Sequence, residues 1–178
     1  TLRQQREAAA ATAPAGAARP LPIFAAGTPW QREEWSDEGQ LTLAEAAARL
    51  SFTVGAQRKC VFSLPQEPSV VVTADDVVAL QVRSGLRGGA RLALAFTIGE
   101  RYFESRPVYI KPGDNLALFP CGEATFKTEA GGWAYRDLLP ARAAIQRLTL
   151  LVYSPASGDL HLSQPRIIRA DRTPSASP

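Results

Sequence analysis

The stretch "VVALQVRSGLRGGARLALAFTIG", Val77 to Gly99, constrains the fold more than any other part of this sequence. On its first arm Leu80 and Val82 alternate with Gln81 and Arg83; on its second, Leu92, Leu94 and Phe96 fall on a common face. A period of two belongs to an extended strand, whose side chains point to opposite faces in turn. The glycine-rich "GLRGG" between the arms is a turn, so the unit reads as a hairpin. The same pattern recurs in "CVFSLP", "RYFESRPVYIKPGDNLALFP", "AIQRLTLLVYS" and "GDLHLSQPRII", punctuated by Gly99-Glu100, Lys111-Pro112-Gly113-Asp114 and "PASGD". About eight to ten short strands result, with turns at regular spacing. No amphipathic helices separate them, which excludes an alternating parallel α/β fold. The predicted fold class is therefore all-β, a two-sheet antiparallel β-sandwich of jelly-roll type. "LPIFAAG" is a candidate first strand. "LTLAEAAARLSFTVG" is ambiguous: Ala44 to Leu50 reads as a helical turn, Arg49 to Val54 as an alternating strand.

The chain has 178 residues, 46% of them apolar and 21% charged, enough for one domain with a sizeable core. Residues 1–20, "TLRQQREAAAATAPAGAARP", favour helix and then become an Ala/Pro/Gly linker. They read as a flexible or helical N-terminal arm, a linker or juxtamembrane segment. Residues 21–170 carry the sandwich. Residues 171–178, "DRTPSASP", read as a flexible tail or linker. Such flanks predict a module of a larger protein, exported to the periplasm or the extracellular space and tied to a membrane through a segment before Thr1. The formal charge of +3 is spread along the chain. No dense Lys/Arg block is interleaved with aromatics, which counts against nucleic acid as a partner. Cys60 and Cys121 lie about 60 residues apart in strand-like surroundings. A disulfide between them would stabilise by roughly 3–4 kcal/mol and suit an exported protein. The alternative is a pair of buried free thiols.

Catalytic signatures are missing from the sequence. Its one histidine, His161, alternates with Leu160 and Leu162 and reads as a surface strand residue, so no nucleophilic triad is legible. One histidine and two separated cysteines make no transition-metal cluster. "SGLRGGA" opens no helix, which a phosphate loop requires. Glu33, Glu34, Asp37, Glu38, Glu100 and Glu104 offer carboxylates, but nothing fixes two of them at a working separation for glycoside hydrolysis. The expectation is a chain that is not an enzyme and uses no cofactor.

Aromatic residues are the stronger lead. A sugar site needs exposed rings to stack on the apolar face of a pyranose and polar groups for its hydroxyls. The first loop, "TPWQREEWSDEG", supplies Trp30 and Trp35 beside Gln31, Arg32, Glu33 and Asp37. Both tryptophans are open to core packing or to ligand contact. In "RYFESRPVYI", Tyr102, Glu104 and Arg106 share one strand face, and Phe103 points to the core. In "FKTEAGGWAYRDLL", Gly131-Gly132 form a turn into a strand on which Trp133 and Tyr135 share a face. Trp133 is assigned to packing and Tyr135 to ligand contact through its hydroxyl. The candidate ligand-binding set is Trp30, Trp35, Tyr102, Glu104, Arg106 and Tyr135.

The run "VVALQVRSGLRGGARLALAFTIGERYFESRPVYIKPGDN", followed by "KPGDNLALF" and the closing "IQRLTLLVYSPASGDLHLSQPRII", resembles galactose-binding-like jelly-roll domains. These are the β-sandwiches of many carbohydrate-binding modules and of accessory domains of polysaccharide-active proteins. The likeness covers roughly residues 21–170 and is one of strand order and turns. It implies a non-catalytic module that binds a glycan or polysaccharide on its concave face. Many members hold a structural calcium with an acidic pair near the first and last strands. Here the last strand has Gln164-Pro165-Arg166 at that place, and Asp37 and Glu38 lack a partner, so no metal is expected. Since the fold hosts many functions, a periplasmic protein-interaction or sensor domain, with a protein partner in a larger assembly, stands as the alternative.

Overall fold

The computed structural model describes residues 18–170. They form thirteen strands: β1 (Ala18–Pro20), β2 (Gln31–Arg32), β3 (Gly39–Ala44), β4 (Ala47–Phe52), β5 (Lys59–Thr73), β6 (Asp76–Ser84), β7 (Ala90–Ile98), β8 (Arg101–Ser105), β9 (Val108–Ile110), β10 (Gly113–Pro120), β11 (Phe126–Lys127), β12 (Arg142–Tyr153) and β13 (Gly158–Arg169). Two antiparallel sheets result. Sheet A runs β10-β6-β13-β4-β3, with β1 on β13; sheet B runs β11-β8-β7-β12-β5-β2, with β9 on β7. The period of two sets the layers. Leu50, Leu80, Val82, Phe119, Leu160 and Leu162 of sheet A face Phe62, Leu64, Leu92, Leu94, Phe96, Phe103 and Leu150 of sheet B, all buried in one core. Each such side chain contributes about 1.5–3 kcal/mol by leaving water. The two-sheet sandwich is as the alternation predicts. Among the described residues no helix is long and apolar enough to cross a membrane.

The structure differs from the sequence reading in five places. The hairpin expected over Val77–Gly99 is an arch: β6 lies in sheet A and β7 in sheet B, so that Leu80 and Val82 meet Leu92 and Leu94 across the core instead of standing beside them in one sheet. "LTLAEAAARLSFTVG" holds no helical turn; it is the β3–β4 hairpin. Glu45 and Ala46 sit at its tip with φ of 54° and 59°, the conformation of a two-residue hairpin turn. Helix propensity over "AEAAA" is overridden because Leu41 and Leu43 pack against the core on the β3 side and Ala48, Leu50 and Phe52 on the β4 side. "LPIFAAG" is not a strand either. Leu21, Ile23 and Phe24 are buried as an irregular plug. Ala18–Pro20, assigned to the arm, pair as β1 with Ile168–Arg166; the remainder of the arm and the tail at 171–178 lie outside the described residues.

The fifth difference is the disulfide. Cys60 and Cys121 are both buried free thiols. Cys60 lies under Gly39 of β3, at one edge of sheet A, with no room for even a Cβ between them. Cys121 follows β10, at the opposite edge. Four strand spacings, roughly 19 Å, separate those edges, far beyond the Cα–Cα reach of a disulfide. Burial pushes the Cys60 thiol up from its ordinary pKa, and burial together with the Asp76 carboxylate pushes Cys121 up to about 12.

Candidate functional site: the outer face of sheet B

Strand register lays out the side chains that sheet B turns away from the core. Ser63 is opposite Gln31 and Thr149, Thr149 opposite Ala95, Ala95 opposite Glu104, and Glu104 opposite Lys127, one line across the sheet. A parallel line runs Val61–Leu151–Ala93, a third Lys59–Tyr153–Arg91–Tyr109, and a fourth Pro65–Arg147–Thr97–Tyr102. The centre is a floor of small and apolar groups. Val61, Ala93, Ala95 and Leu151 are fully buried although they face outward, because the side chains of Tyr102 and Tyr153 pack over them. Alanine at 93 and 95 leaves the height that two phenol rings need.

Glu104 pins those rings. Its carboxylate is 4% exposed. It accepts the Tyr153 hydroxyl at 2.6 Å and the Tyr102 hydroxyl at 3.3 Å, and the Lys127 ammonium stands 3.4 Å away. A buried carboxylate is tolerable only with partners of this kind. The partnership acts in return on the tyrosines. Burial first, then the Glu104 charge and hydrogen bond, pushes both phenol pKa values far above the ordinary one, so both hydroxyls stay protonated donors. Ser63 and Thr149 share a hydrogen bond of 2.9 Å beside them.

Two loops raise rims at the sides of this floor. Beyond β11 the chain leaves extended conformation at Thr128 and returns at Asp137, whose backbone bridges Phe126. Thr128 locks the loop: its hydroxyl donates to the Asp137 carboxylate at 2.7 Å and accepts the Gly131 amide at 3.0 Å, and its carbonyl accepts the Trp133 amide at 2.9 Å. A side chain at 131 would run into the Asp137 carboxylate, so glycine is required there. Trp133 has φ of 59° and stands 52% exposed, its ring 6.3 Å from that of Tyr102 in an edge-on arrangement. Tyr135 lies between two cations, Lys127 at 5.1 Å and Arg106 at 5.8 Å from its ring. On the other side, the Glu33 amide donates to Val61 and the Asp37 amide to Lys59, which runs residues 33–37 along β5. Trp35, 38% exposed, is held there with the Lys59 ammonium 4.9 Å from its ring. From β5 to β8 is three strand spacings, roughly 14 Å.

Of the six side chains expected in the site, five are brought to this one face: Trp35, Tyr102, Glu104, Arg106 and Tyr135. Trp30 is not. It precedes β2 with its ring turned inward, packed 6.1 Å from Phe24, and its indole N–H donates to the Ile23 carbonyl at 2.7 Å. Glu104 lies beneath the tyrosines rather than beside solvent. The packing role expected for Trp133 is overturned by its exposure, and the strand expected at 133–135 is an irregular loop. Phe126, before the loop, is in the core against Phe96. Sequence reasoning missed Tyr153, Ser63 and Thr149. Alternation in "LTLLVYS" does place Thr149, Leu151 and Tyr153 on one face, but the leucine makes the strand look buried on both sides. Asp37, read from the sequence as a polar neighbour of Trp30 and Trp35, is buried with its carboxylate turned inward. Burial pushes its pKa up, but hydrogen bonds from the backbone amides of Gly55, Gln57 and Lys59 outweigh this and hold it below the usual carboxylate range. That stabilisation is present above the unfolded carboxylate pKa and is lost as pH falls through the lower folded one.

Larger clefts lie elsewhere. One of about 740 Å³ runs between Arg19–Pro22 and Pro65–Val71, and its lining is mostly proline and aliphatic side chains. Another of about 580 Å³ lies on the outer face of sheet A among Gln81, Arg83, Asp114 and His161. Neither presents an exposed tryptophan or tyrosine. The outer face of sheet B does, with hydroxyl, ammonium and guanidinium groups around the rings. Such a surface suits a ligand built of rings with one apolar face and a hydroxylated edge.

No protein-family model matches the chain, and no curated protein matches it. Solved structures with a similar fold do exist. A crystal structure of an agarase superposes with a TM-score of 0.65 at 12% identity; the match covers 87% of this chain and only 25% of the agarase. The family 11 carbohydrate-binding module of a cellulosomal cellulase of Clostridium thermocellum has a TM-score of 0.59 at 10% identity, over 88% of this chain and 97% of the module. The family 11 module from that organism in complex with a β-1,3-1,4-mixed-linked tetrasaccharide gives the same TM-score at 10% identity. The chain is thus a sandwich of the kind found in carbohydrate-binding modules. It matches one such module over nearly its whole length and the agarase over about a quarter.

Proposed function

We propose that this chain is a non-catalytic module that binds polysaccharide on the outer face of sheet B. The observation that carries this reading is the convergence of Trp35, Tyr102, Trp133 and Tyr135 on one sheet face, around a tyrosine floor clamped by Glu104. A shallow, solvated face of this kind binds by stacking and by direct and water-mediated hydrogen bonds, with modest affinity. The fold it shares with modules of polysaccharide-degrading enzymes points the same way. The two carboxylates of this face are committed to holding it together, Glu104 to the tyrosines and Lys127, Glu33 to Arg147 at 3.8 Å. The module would work where polysaccharide is met, outside the cell or in its envelope. Buried thiols with raised pKa values suit that location without a bridge, since burial keeps them protonated and unreactive.

The test is affinity electrophoresis and calorimetry of the protein against a panel of soluble polysaccharides, with Trp133→Ala and Tyr135→Ala beside it. Retardation of the protein by at least one polysaccharide, relieved by either substitution, is the expected result. Failure of the whole panel to bind would sink the reading in favour of a protein-interaction domain.

A further inference from the structure

The charges on the outer face of sheet B do not cancel. Its carboxylates are Glu33, paired with Arg147, and Glu104, paired with Lys127 and both tyrosine hydroxyls; Asp137 in the rim takes the Thr128 hydroxyl. In the rim, Arg136 donates to the Gly131 carbonyl; three more cations remain outside these pairs. Lys59 lies against the Trp35 ring, Arg106 against the Tyr135 ring, and Arg91 stands exposed between Tyr153 and Tyr109 in the third cross-strand line. Among the described residues no salt bridge ties a carboxylate to any of them; Glu34 and Glu129, on the rim loops, make none with these cations. Lys59 and Arg91 share that line two strands apart, roughly 10 Å at their Cα atoms, on either side of Tyr153. A cation stacked on a ring keeps its charge and gains rigidity. Trp35 on one rim and Tyr135 on the other are therefore accompanied by positive charge held in place.

Resting on the glycan reading above, we infer that the polysaccharide is acidic, carrying carboxylate or sulfate groups, and that Arg91 and Lys59 receive one such group beside the Tyr153 ring. A guanidinium fork matches the oxygens of either group bidentately, which an ammonium cannot do. Arg91 is the better anchor, since among the described residues no salt bridge and no cation–ring contact holds it. Neutral residues of the same chain would stack on Trp133 and Trp35.

The experiment compares the protein's affinity for a polygalacturonate, a sulfated galactan and a neutral β-glucan at low salt and at about 0.3 M salt. The expected result is binding to the carboxylated or the sulfated chain at least tenfold tighter than to the neutral one, and weakened by salt. Which of the two binds identifies the anionic group. Arg91→Ala should lower acidic-glycan affinity about tenfold, the size of one charged hydrogen-bonding contact, and leave neutral-glycan affinity unchanged. Arg83→Ala, on the outer face of sheet A, removes the same net charge and should have no effect. Neutral glycan bound as tightly as acidic would overturn the inference and leave the glycan-binding reading standing. An Arg91→Ala effect no larger than that of Arg83→Ala would overturn it too, since attraction would then come from net charge alone. Binding to none of the three would remove this inference and count against the glycan reading as well.

Discussion

The two sheets turn outer faces to solvent that are written in the same period of two, yet they are different surfaces. Sheet A shows the line Thr42–Arg49–His161–Arg83–Asp114, with Ser163–Gln81–Leu116 beside it. Its charges pair locally, Arg49 with Asp159 at 2.5 Å and Arg83 with Asp114 at 3.7 Å. Those lines hold an imidazole but no phenol or indole, and the side chains stand in water. Sheet B shows a buried outer floor, two tyrosines tied to one carboxylate, and rims bearing tryptophan and tyrosine. The difference lies in what stands at the alternate positions. Small residues at 93 and 95 admit rings, and rings over a sheet need a polar partner, which Glu104 provides. A solvated strand face and a recognition surface thus share one backbone and differ in side-chain height.

The largest expected effect is on the Glu104 clamp. Glu104→Ala leaves two phenol hydroxyls and the Lys127 ammonium without their acceptor, at a cost of about 3 kcal/mol. A thermal melt should show Tm lower by roughly 6–12 °C, and glycan binding should be lost with it. A Tm within a degree of the parent would show that the clamp is ornamental. Alkaline pH should strike the same sheet. The folded-state pKa values of Tyr102 and Tyr153 are raised, so their contribution to stability is whole below the ordinary phenol pKa of about 10 and declines as pH climbs beyond it toward the folded values. In an ultraviolet titration, two of the four tyrosines should ionise only as the protein unfolds. Four tyrosines ionising together near pH 10 in folded protein would contradict the clamp.

Smaller effects separate recognition from folding. Trp133→Ala should lower glycan affinity about fivefold, the worth of one aromatic contact near 1 kcal/mol, and move stability by less than about 0.5 kcal/mol, because the ring is half exposed. A large loss of stability would return Trp133 to the packing role its sequence context implies. At the bottom of the scale, His161→Ala on sheet A should change neither binding nor stability measurably. A loss of glycan binding there would move the site to the other face.

Much of the fold is legible in the sequence because alternation is local. Val77 to Gly99 is two strands and a turn on inspection, and its Leu80, Val82, Leu92, Leu94 and Phe96 are the core the pattern predicts, but the alternation does not tell that the two strands part into opposite sheets instead of pairing. The site is legible only in part. Tyr102 and Glu104 are marked by alternation on one short strand, whereas Tyr153 lies 49 residues from Glu104 and meets it only through the β12–β7–β8 register. Trp30 and Trp35 look equivalent in a polar loop. One faces the core and the other the rim, because the path of 33–37 along β5 is set by long-range hydrogen bonds. Cys60 and Cys121 sit in similar contexts, yet Cys60, on β5 of sheet B, lies beneath Gly39 at one edge of sheet A and Cys121 follows β10 at the other. "AEAAA" has the composition of a helix and forms a hairpin tip, since tertiary packing of its flanks outweighs propensity.

By itself, then, the sequence determined the two-sheet sandwich, which residues face inward and that exposed aromatics were the place to look, since a period of two requires no partner to be read. Only the tertiary structure decided which aromatics share a surface, that Trp133 is exposed rather than buried, that the cysteines do not meet, and that Glu104 holds two distant tyrosines. Each of these depends on pairing between strands far apart in the chain, and a one-residue slip in any register would send the same side chains to the other face.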